Sequence, residues 1–195
     1  MQKSVHHFMR ICASLLPIDE PIYEFGALRV QGMPEEDLRP LFPGKTYIGT
    51  DMRQGPGVDQ VLDLHDIDLP DASVASVICL DTLEHVEYPR RALAEIHRVL
   101  RSDGIAIISS VFEFPIHNHP SDFWRFTPEG FRSLLKAFNH SEVFSFGATD
   151  VTPRSVTGVG FKGAVPDLAS FREECDKWER WNSAIIREML RTRGD

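Results

Sequence analysis

The sequence has few cysteines, and no part of it concentrates positive charge. Its three cysteines, Cys12, Cys79 and Cys175, lie far apart and form no Cys-x-x-Cys pair, which argues against a zinc knuckle or a disulfide framework. Free thiols in a reducing cytosol are the simplest interpretation. The net charge is −8 at pH 7, and Lys and Arg form no dense cluster. This balance disfavours nucleic acid and anionic membranes as partners.

Long hydrophobic runs are also missing. The longest apolar run near the start, Ile11 to Leu16, is too short to span a membrane and makes a poor secretory signal. Hydrophobic residues make up 42% of the chain and charged residues 26%, as in an ordinary globular protein. We therefore expect one domain over residues 1–195, located in the cytoplasm and without membrane association.

Hydrophobic periodicity and turn residues predict an alternation of helices and strands. A helix is expected at 3–16, another beginning at Pro34–Asp37 and ending by 43–44, and others at 90–100 and from 127 onward. Thr127 and Pro128 are the expected N-cap and first helical residue of the last of these. Strands are expected at 22–25, 46–50, 58–62, 73–80, 105–109, 142–146 and 155–162. The alternation favours a mainly parallel sheet with helices on both faces.

A long amphipathic helix is predicted for the tail, at residues 167–192. Its apolar residues recur every three or four positions. They are Leu168, Phe171, Cys175, Trp178, Trp181, Ile185 and Met189. Aromatic stripes usually pack, so we expect core packing or a homodimer interface, with a substrate lid as the alternative.

Candidate binding residues follow three of the predicted strands. Ligands of open α/β sheets bind where the strands end. Gly26 follows the first strand, and without a Cβ it lets a ligand approach the backbone closely. Asp51 follows the second strand and can accept hydrogen bonds from ribose hydroxyls, although an ordinary turn also explains it. Asp63 follows the third strand and can accept from an adenine amino group, with Asp66 and Asp68 as nearby alternatives.

The fourth strand is followed by Asp81-Thr82-Leu83-Glu84-His85-Val86. One interpretation is a capping box, in which Asp81 caps a helix and Glu84 closes the box. The other places Glu84 and His85 at the edge of the cleft. The sequence leaves both interpretations open.

The ordered set of these motifs resembles the class I methyltransferases of the type 11 group. It comprises Glu24-x-Gly26, Asp51, Asp63 and the stretch LEHVEYPRRALAEIHRVLRSDGIAIIS. Within that stretch, residues 94–104 look like the family's EIxRVLKPGG signature. The resemblance covers roughly residues 20–147 and is strongest at 78–110.

The resemblance implies a Rossmann-like, mainly parallel seven-stranded sheet with helices on both faces and a reversed last strand. It also implies S-adenosylmethionine as cofactor. The implied binding residues are Glu24, Gly26 and Ala27 on the methionine side, Asp51 and Met52 at the ribose and adenine, Asp63 and Leu64 at the adenine edge, and Leu80 and Asp81 beside the sulfonium.

The segment 114–128 looks like an insertion specific to a subgroup, and we expect it to form much of the acceptor site. Its His117 or His119 is a candidate general base with Asp122 as orienter, because imidazole titrates near neutral pH. Hydrogen bonding within the loop is the alternative. Trp124 and Arg125 are candidates to stack on or pair with an acceptor.

A metal site is a weaker alternative, and no metal is our main expectation. Some methyltransferases acting on hydroxyls or RNA ends bind a divalent ion through an acid followed by Glu-His. Asp81, Glu84 and His85 match that spacing, and His117 or His119 can complete the set. Oxygen and imidazole ligands suit Mg, Mn or Zn.

Methyl transfer from S-adenosylmethionine to an unidentified small-molecule acceptor is the expected function. The chain departs from the family at residue 28, where Leu replaces a glycine. This departure motivates one alternative, a non-catalytic partner subunit with the methyltransferase fold. The other is an NAD-dependent oxidoreductase, because Gly26 and Asp51 suit either cofactor. The absence of a recognisable Tyr-x-x-x-Lys pair argues against it.

Overall fold

A computed structural model describes residues 2–29, 37–117, 120–149 and 152–192 of the chain. A seven-stranded sheet carries four α-helices in this part of the chain. The elements are α1 (Lys3–Leu15), β1 (Ile22–Phe25), β2 (Tyr47–Asp51), β3 (Gln60–Val61), β4 (Val74–Cys79), α2 (Pro89–Val99), β5 (Leu100–Val111), α3 (Pro128–Leu134), β6 (His140–Gly147), β7 (Pro153–Phe161) and α4 (Ala169–Arg191). Single 3-10 turns lie at Arg39–Leu41, Leu83–His85 and Leu135–Ala137.

The strand order is β3-β2-β1-β4-β5-β7-β6. Strands β1 to β5 pair in parallel, whereas β7 runs antiparallel to both β5 and β6. This arrangement confirms the predicted Rossmann-like sheet with a reversed last strand. Strand β1 pairs with β2 on one side and with β4 on the other. The chain therefore reverses its direction of travel across the sheet at β1 and β4, and a crevice is expected at their carboxyl ends.

Helices pack on both faces of the sheet, as the alternation predicts. On one face, α2 and α3 bury Ile96 and Phe131 against the strands. On the other face, α1 and α4 bury Phe8 and Phe171. The three cysteines are buried free thiols, in agreement with the sequence analysis. No helix in the described ranges has the length and hydropathy needed to cross a membrane.

Helix α4 combines a buried beginning with an exposed end. Leu168, Phe171 and Cys175 are almost completely buried, so this part of the predicted stripe is core. Trp181 and Met189 are more than half exposed, at 56% and 57%. The homodimer interface predicted for this helix stays a prediction for its exposed part.

The start of α3 follows the predicted capping pattern. The backbone N–H of Gly130 donates to Thr127 Oγ1 at 3.0 Å, and Pro128 occupies the first turn. Residues 34–36 of the helix expected to end by 43–44 lie outside the described ranges. From residue 37 onward the chain forms only the 3-10 turn at Arg39–Leu41, so this part of the prediction is wrong. Strand β3 is shorter than predicted, with two residues.

We predict that Phe171→Ala lowers the free energy of unfolding by about 3–5 kcal/mol, because Phe171 is 1% exposed and its removal leaves a cavity. Met189→Ala, on the exposed part of the same helix, is the matched control and should change stability by less than about 0.5 kcal/mol. Urea unfolding followed by circular dichroism measures both. Equal stability of the two variants would contradict the assignment of α4 to the core.

Candidate functional site

A crevice of about 730 Å³ lies at the carboxyl ends of the strands, next to β1 and β4. Its size falls within the range of small-molecule sites. Every residue that the sequence predicts for the cofactor lines this crevice. They are Glu24, Gly26, Ala27, Asp51, Met52, Asp63, Leu64, Leu80 and Asp81. The acceptor-side candidate His117 lines it as well, together with Glu84 and His85.

Gly26 holds the turn after β1 in a conformation that other residues adopt only with strain. Its φ is +83°, and a Cβ at this position would lie 2.1 Å from Thr82 Oγ1. The N–H groups of Gly26 and Ala27 both donate to the carbonyl of Thr50, at 2.9 Å. The turn is therefore fixed by β2 on one side and by the segment after β4 on the other.

Leu28 takes the place of the glycine expected in this loop, and the loop between β2 and β3 accommodates it. A Cβ on Gly55 would lie 2.3 Å from Leu28 Cδ1, and one on Gly57 would lie 2.4 Å from the carbonyl oxygen of Ala27. The Arg29 N–H also donates to the Pro56 carbonyl, at 2.8 Å. Gly55 and Gly57 therefore allow the loop between β2 and β3 to pack closely against the loop after β1.

Glu24 is half-buried and lines the crevice beside Tyr47. The Tyr47 hydroxyl donates to Glu24 Oε2 at 2.9 Å. Burial raises the pKa of Glu24 to about 7, although the Tyr47 hydrogen bond and the charges of Arg39 and Arg29 oppose this rise. Glu24 therefore changes its charge near neutral pH.

The carboxylates of Asp51 and Asp63 are each held by the loop that follows them. Asp51 Oδ1 accepts from the Arg53 N–H at 2.9 Å, and the Asp51 side chain is 12% exposed. Asp63 Oδ1 accepts from the His65 N–H at 2.8 Å and lies 2.8 Å from His65 Nδ1. Burial alone would raise the pKa of Asp63, but the His65 hydrogen bonds and charge lower it overall. Asp63 is therefore ionised at neutral pH.

Asp81 does not cap a helix, so the capping-box interpretation of Asp81 and Glu84 is wrong. Asp81 has a φ of +45°, and only a 3-10 turn without a side-chain cap follows it. Asp81 Oδ2 accepts from the Gln2 N–H at 3.0 Å, and Oδ1 accepts from the Ser109 hydroxyl at 2.9 Å. Burial raises the pKa of Asp81. This carboxyl joins the residue before α1 to β5 beside the crevice.

Glu84 is completely buried and lines the crevice. Its Oε2 accepts from the Ser110 hydroxyl at 2.5 Å, whereas its Oε1 is buried and has no hydrogen-bond partner within the described part of the chain. Burial and the neighbouring charge of Asp81 raise the pKa of Glu84 to about 8. The second interpretation of this segment, with Glu84 and His85 at the cleft, is therefore the one that agrees with the geometry.

Two histidines stand beside Glu84. His85 Nδ1 lies 2.5 Å from the Ser121 carbonyl oxygen. His117 Nδ1 lies 3.1 Å from the Pro115 carbonyl oxygen and 3.2 Å from Asp122 Oδ2. The two rings meet edge to face, with centroids 4.8 Å apart. One ligand-type atom of each of Glu84, His85 and His117 lies within 4.8 Å of the others.

The group of possible metal ligands in the structure thus differs in part from the set that the sequence predicts. Glu84 and His85 lie together as predicted, and His117 joins them. Asp81 is not part of the group, because its carboxylate is engaged by Gln2 and Ser109. His119 lies outside the described residues.

Asp122 lies behind His117 and forms a buried ion pair with Arg125. Its side chain is 1% exposed, and Arg125 contacts its two oxygens at 2.6 and 2.8 Å. The Arg125 hydrogen bonds hold the pKa of Asp122 well below its usual range. Asp122 Oδ2 also accepts from the His117 N–H at 2.8 Å. Asp122 is therefore placed to orient His117.

Arg125 and Trp124 do not line the crevice, so their predicted contacts with an acceptor are not supported. Arg125 also donates to the carbonyls of Phe114 and Pro115. The Trp124 Nε1–H donates to the Val86 and Glu87 carbonyls at 3.0 and 3.2 Å. Trp124 therefore holds its part of the chain against the residues that follow the 3-10 turn at Leu83–His85, whereas Arg125 links residues on either side of His117.

Comparison of the sequence with known families gives a match over residues 44–108 to the family described as "Methyltransferase domain". No curated protein matches the chain.

Solved structures share the fold at low sequence identity. An N1-methyltransferase of 1,6-didemethyltoxoflavin from Burkholderia thailandensis, solved with that compound and S-adenosylhomocysteine, has a TM-score of 0.60 and 18% identity over 83% of this chain and 79% of its own. A chain from the complex of the Haloferax volcanii Trm112 activator with a methyltransferase gives 0.54 and 19%, over 81% and 90%. For the CMeT domain of the citrinin polyketide synthase the values are 0.56 and 14%, over 74% of this chain but only 46% of that one.

The sheet topology and the domain match over residues 44–108 are those of class I methyltransferases. S-adenosylmethionine is the methyl donor of this class. The chain therefore contains a methyltransferase domain that depends on S-adenosylmethionine, as the sequence analysis expects.

We predict that Glu24→Gln flattens the pH dependence of stability between pH 4.5 and about 7. Glu24 has a pKa raised from 4.5 to about 7 in the fold, so the folded state holds this proton more tightly than the unfolded chain. Below pH 4.5 Glu24 is protonated in both states and does not destabilise the fold. As the pH rises through 7, ionisation of Glu24 lowers the free energy of unfolding by up to about 3 kcal/mol.

Urea unfolding at pH 5 and pH 8 measures this difference for wild type and Glu24→Gln. Glu113→Gln, at an exposed position, should follow the wild type at both pH values. A Glu24→Gln curve parallel to the wild type would contradict the raised pKa.

Proposed function

We propose that the chain methylates a hydroxyl or amino group of a small-molecule acceptor. The observation that supports this proposal is that one crevice is lined by two groups of residues. All the predicted cofactor residues form the first group, whose part of the crevice we call the cofactor end, and Glu84, His85 and His117 form the second, whose part we call the acceptor end. A donor and an acceptor can therefore meet within one cavity, as a direct transfer requires.

The cofactor end fits a nucleoside with an amino-acid tail. Gly26 has no side chain to obstruct the tail, and Thr82 fills the space behind it. We assign Asp51 to the ribose hydroxyls and Asp63 to the adenine amino group, because both carboxylates end a strand at the crevice and are held by their own loops. Glu24 and Ala27 are assigned to the methionine part. Bound S-adenosylmethionine supplies an activated methyl group on a cationic sulfur.

His117 is the residue that we assign to the acceptor, with Asp122 as the group that orients it. A hydroxyl or ammonium acceptor must lose a proton when it is methylated. The imidazoles of His117 and His85 line the crevice, whereas Asp122 lies behind His117 and stays ionised beside Arg125. His119 is a further candidate that falls outside the described residues.

A small acceptor is favoured over a macromolecule by two observations. The net charge of −8 disfavours a polyanionic substrate. The structurally similar enzyme from Burkholderia thailandensis acts on a small heterocycle. We also keep the proposals of a cytoplasmic location, which suits the buried free thiols, and of a homodimer through the exposed part of α4.

The alternative functions have less support. An oxidoreductase does not agree with the match to a methyltransferase domain. Leu28 is the reason for considering a non-catalytic partner subunit. The loop between β2 and β3 accommodates this residue through Gly55 and Gly57, which removes that reason. The similar Haloferax volcanii chain comes from an activator complex, which is compatible with a partner for this protein without favouring it.

We predict that Asp51→Asn weakens the binding of S-adenosylhomocysteine about 10- to 100-fold, because it replaces a charged acceptor of ribose hydrogen bonds. Asp66→Asn is the matched control, since Asp66 is exposed nearby and does not line the crevice. Isothermal titration calorimetry gives both affinities. The assignment would be contradicted if the wild type did not bind S-adenosylhomocysteine, or if the two variants bound it with equal affinity.

A further inference from the structure

We infer that Glu84, His85 and His117 bind a divalent metal ion at the acceptor end of the crevice. One ligand-type atom from each residue lies within 4.8 Å of the others. Imidazole nitrogen and carboxylate oxygen bind zinc at about 2.0–2.2 Å, so two ligands of one ion lie at most about 4.4 Å apart. Small movements of the side chains bring all three atoms to one ion.

The carboxylate of Glu84 provides an independent indication of a ligand. The side chain is completely buried, and Ser110 satisfies only Oε2. Oε1 is buried without a hydrogen-bond partner in the described residues. An unpaired buried carboxylate oxygen is costly, and such groups are normally satisfied by a hydrogen bond or an ion. A cation beside His85 and His117 would satisfy it.

Both imidazoles are oriented as in metal sites. The Nδ1–H of His85 donates to the Ser121 carbonyl, and that of His117 is directed to the Pro115 carbonyl and Asp122 Oδ2. These contacts favour the tautomer with the proton on Nδ1 and a lone pair on Nε2. A carbonyl or carboxylate behind the ring commonly fixes a metal-binding histidine in this way. The buried pair of Asp122 and Arg125 thus acquires a role in holding a ligand.

Nearby charge also favours a cation. The negative charges of Asp81 and Asp122 both act on Glu84. Arg125 forms hydrogen bonds with Asp122 and with loop carbonyls, so these partners compensate much of its positive charge. Two imidazoles and one carboxylate suit zinc or manganese, and three protein ligands leave coordination positions open toward the crevice.

An open position gives the metal a role in the proposed reaction. A hydroxyl oxygen bound to a divalent ion has a lowered pKa and is held at a fixed place. The acceptor class is therefore a hydroxyl compound. Its proton is released to solvent when the oxygen binds the ion, and the oxygen then takes the methyl group as the carbon–sulfur bond breaks and S-adenosylhomocysteine leaves, so His117 serves as a ligand rather than as the base. This role in catalysis rests on the proposed methyltransferase function, whereas metal binding itself does not.

The test measures metal binding without the methyl donor. Protein purified without chelator is analysed for metal content, stripped with EDTA, and titrated with Mn²⁺ by electron paramagnetic resonance and with Zn²⁺ by calorimetry. We expect one saturable site in wild type. Glu84→Gln and His117→Gln should weaken it at least 10-fold, and Asp122→Asn should weaken it 10- to 100-fold through the orientation of His117. His140→Gln, at a histidine outside the crevice, should leave the affinity unchanged.

Binding of S-adenosylhomocysteine to the same preparations separates this proposal from the proposed function. A variant that keeps this affinity and loses metal binding supports the site. The proposal would be overturned if the wild type showed no saturable metal binding, or if His117→Gln and His140→Gln bound the metal equally well. This holds even when S-adenosylhomocysteine still binds. If Glu84→Gln does not fold, the wild-type titration and the His117→Gln variant decide the question.

Discussion

The contact between Gly26 and Thr82 sets the shape of the crevice. It brings the turn after β1 against the segment that follows β4, and a single added carbon would lie 2.1 Å from the threonine hydroxyl oxygen. Strands β1 and β4 pair in parallel up to Phe25 and Cys79, so both chains leave the sheet at the same edge. Gly26 and Thr82 both line the crevice that holds the residues assigned to the donor and the acceptor.

Local sequence patterns predict which of these residues line the crevice, because several of them directly follow or end strands. Gly26, Asp51 and Asp63 could be located from the strand before each of them. The environment of Asp81 could not, because its partners Gln2 and Ser109 come from other elements. The spacing of Asp81 and Glu84 matches a capping box. In the structure, however, Asp81 has a positive φ and Glu84 is buried, so neither carboxyl caps a helix.

Leu28 shows why one loop cannot be interpreted alone. By itself, the missing glycine suggested a damaged cofactor site. In the structure, Gly55 and Gly57 of the neighbouring loop leave room for Leu28 and for the backbone at Ala27. These glycines are visible in the sequence, but only the pairing of β1 with β2 brings them to this position. The local fold of α3 could be predicted because Thr127 and Gly130 are close in sequence.

The crevice gathers carboxyl groups from different strands, and this has an electrostatic consequence. Burial raises the pKa of Glu24, Asp81 and Glu84, which shows that their negative charge is unfavourable in the protein alone. A cationic ligand reverses this balance, because it stabilises the ionised carboxylates. In the proposed assignment, the ammonium and sulfonium groups of the methyl donor would provide such charge near Glu24 and Asp81. Glu84 lies at the acceptor end, where a metal ion would serve the same purpose, so both ends are suited to positively charged ligands.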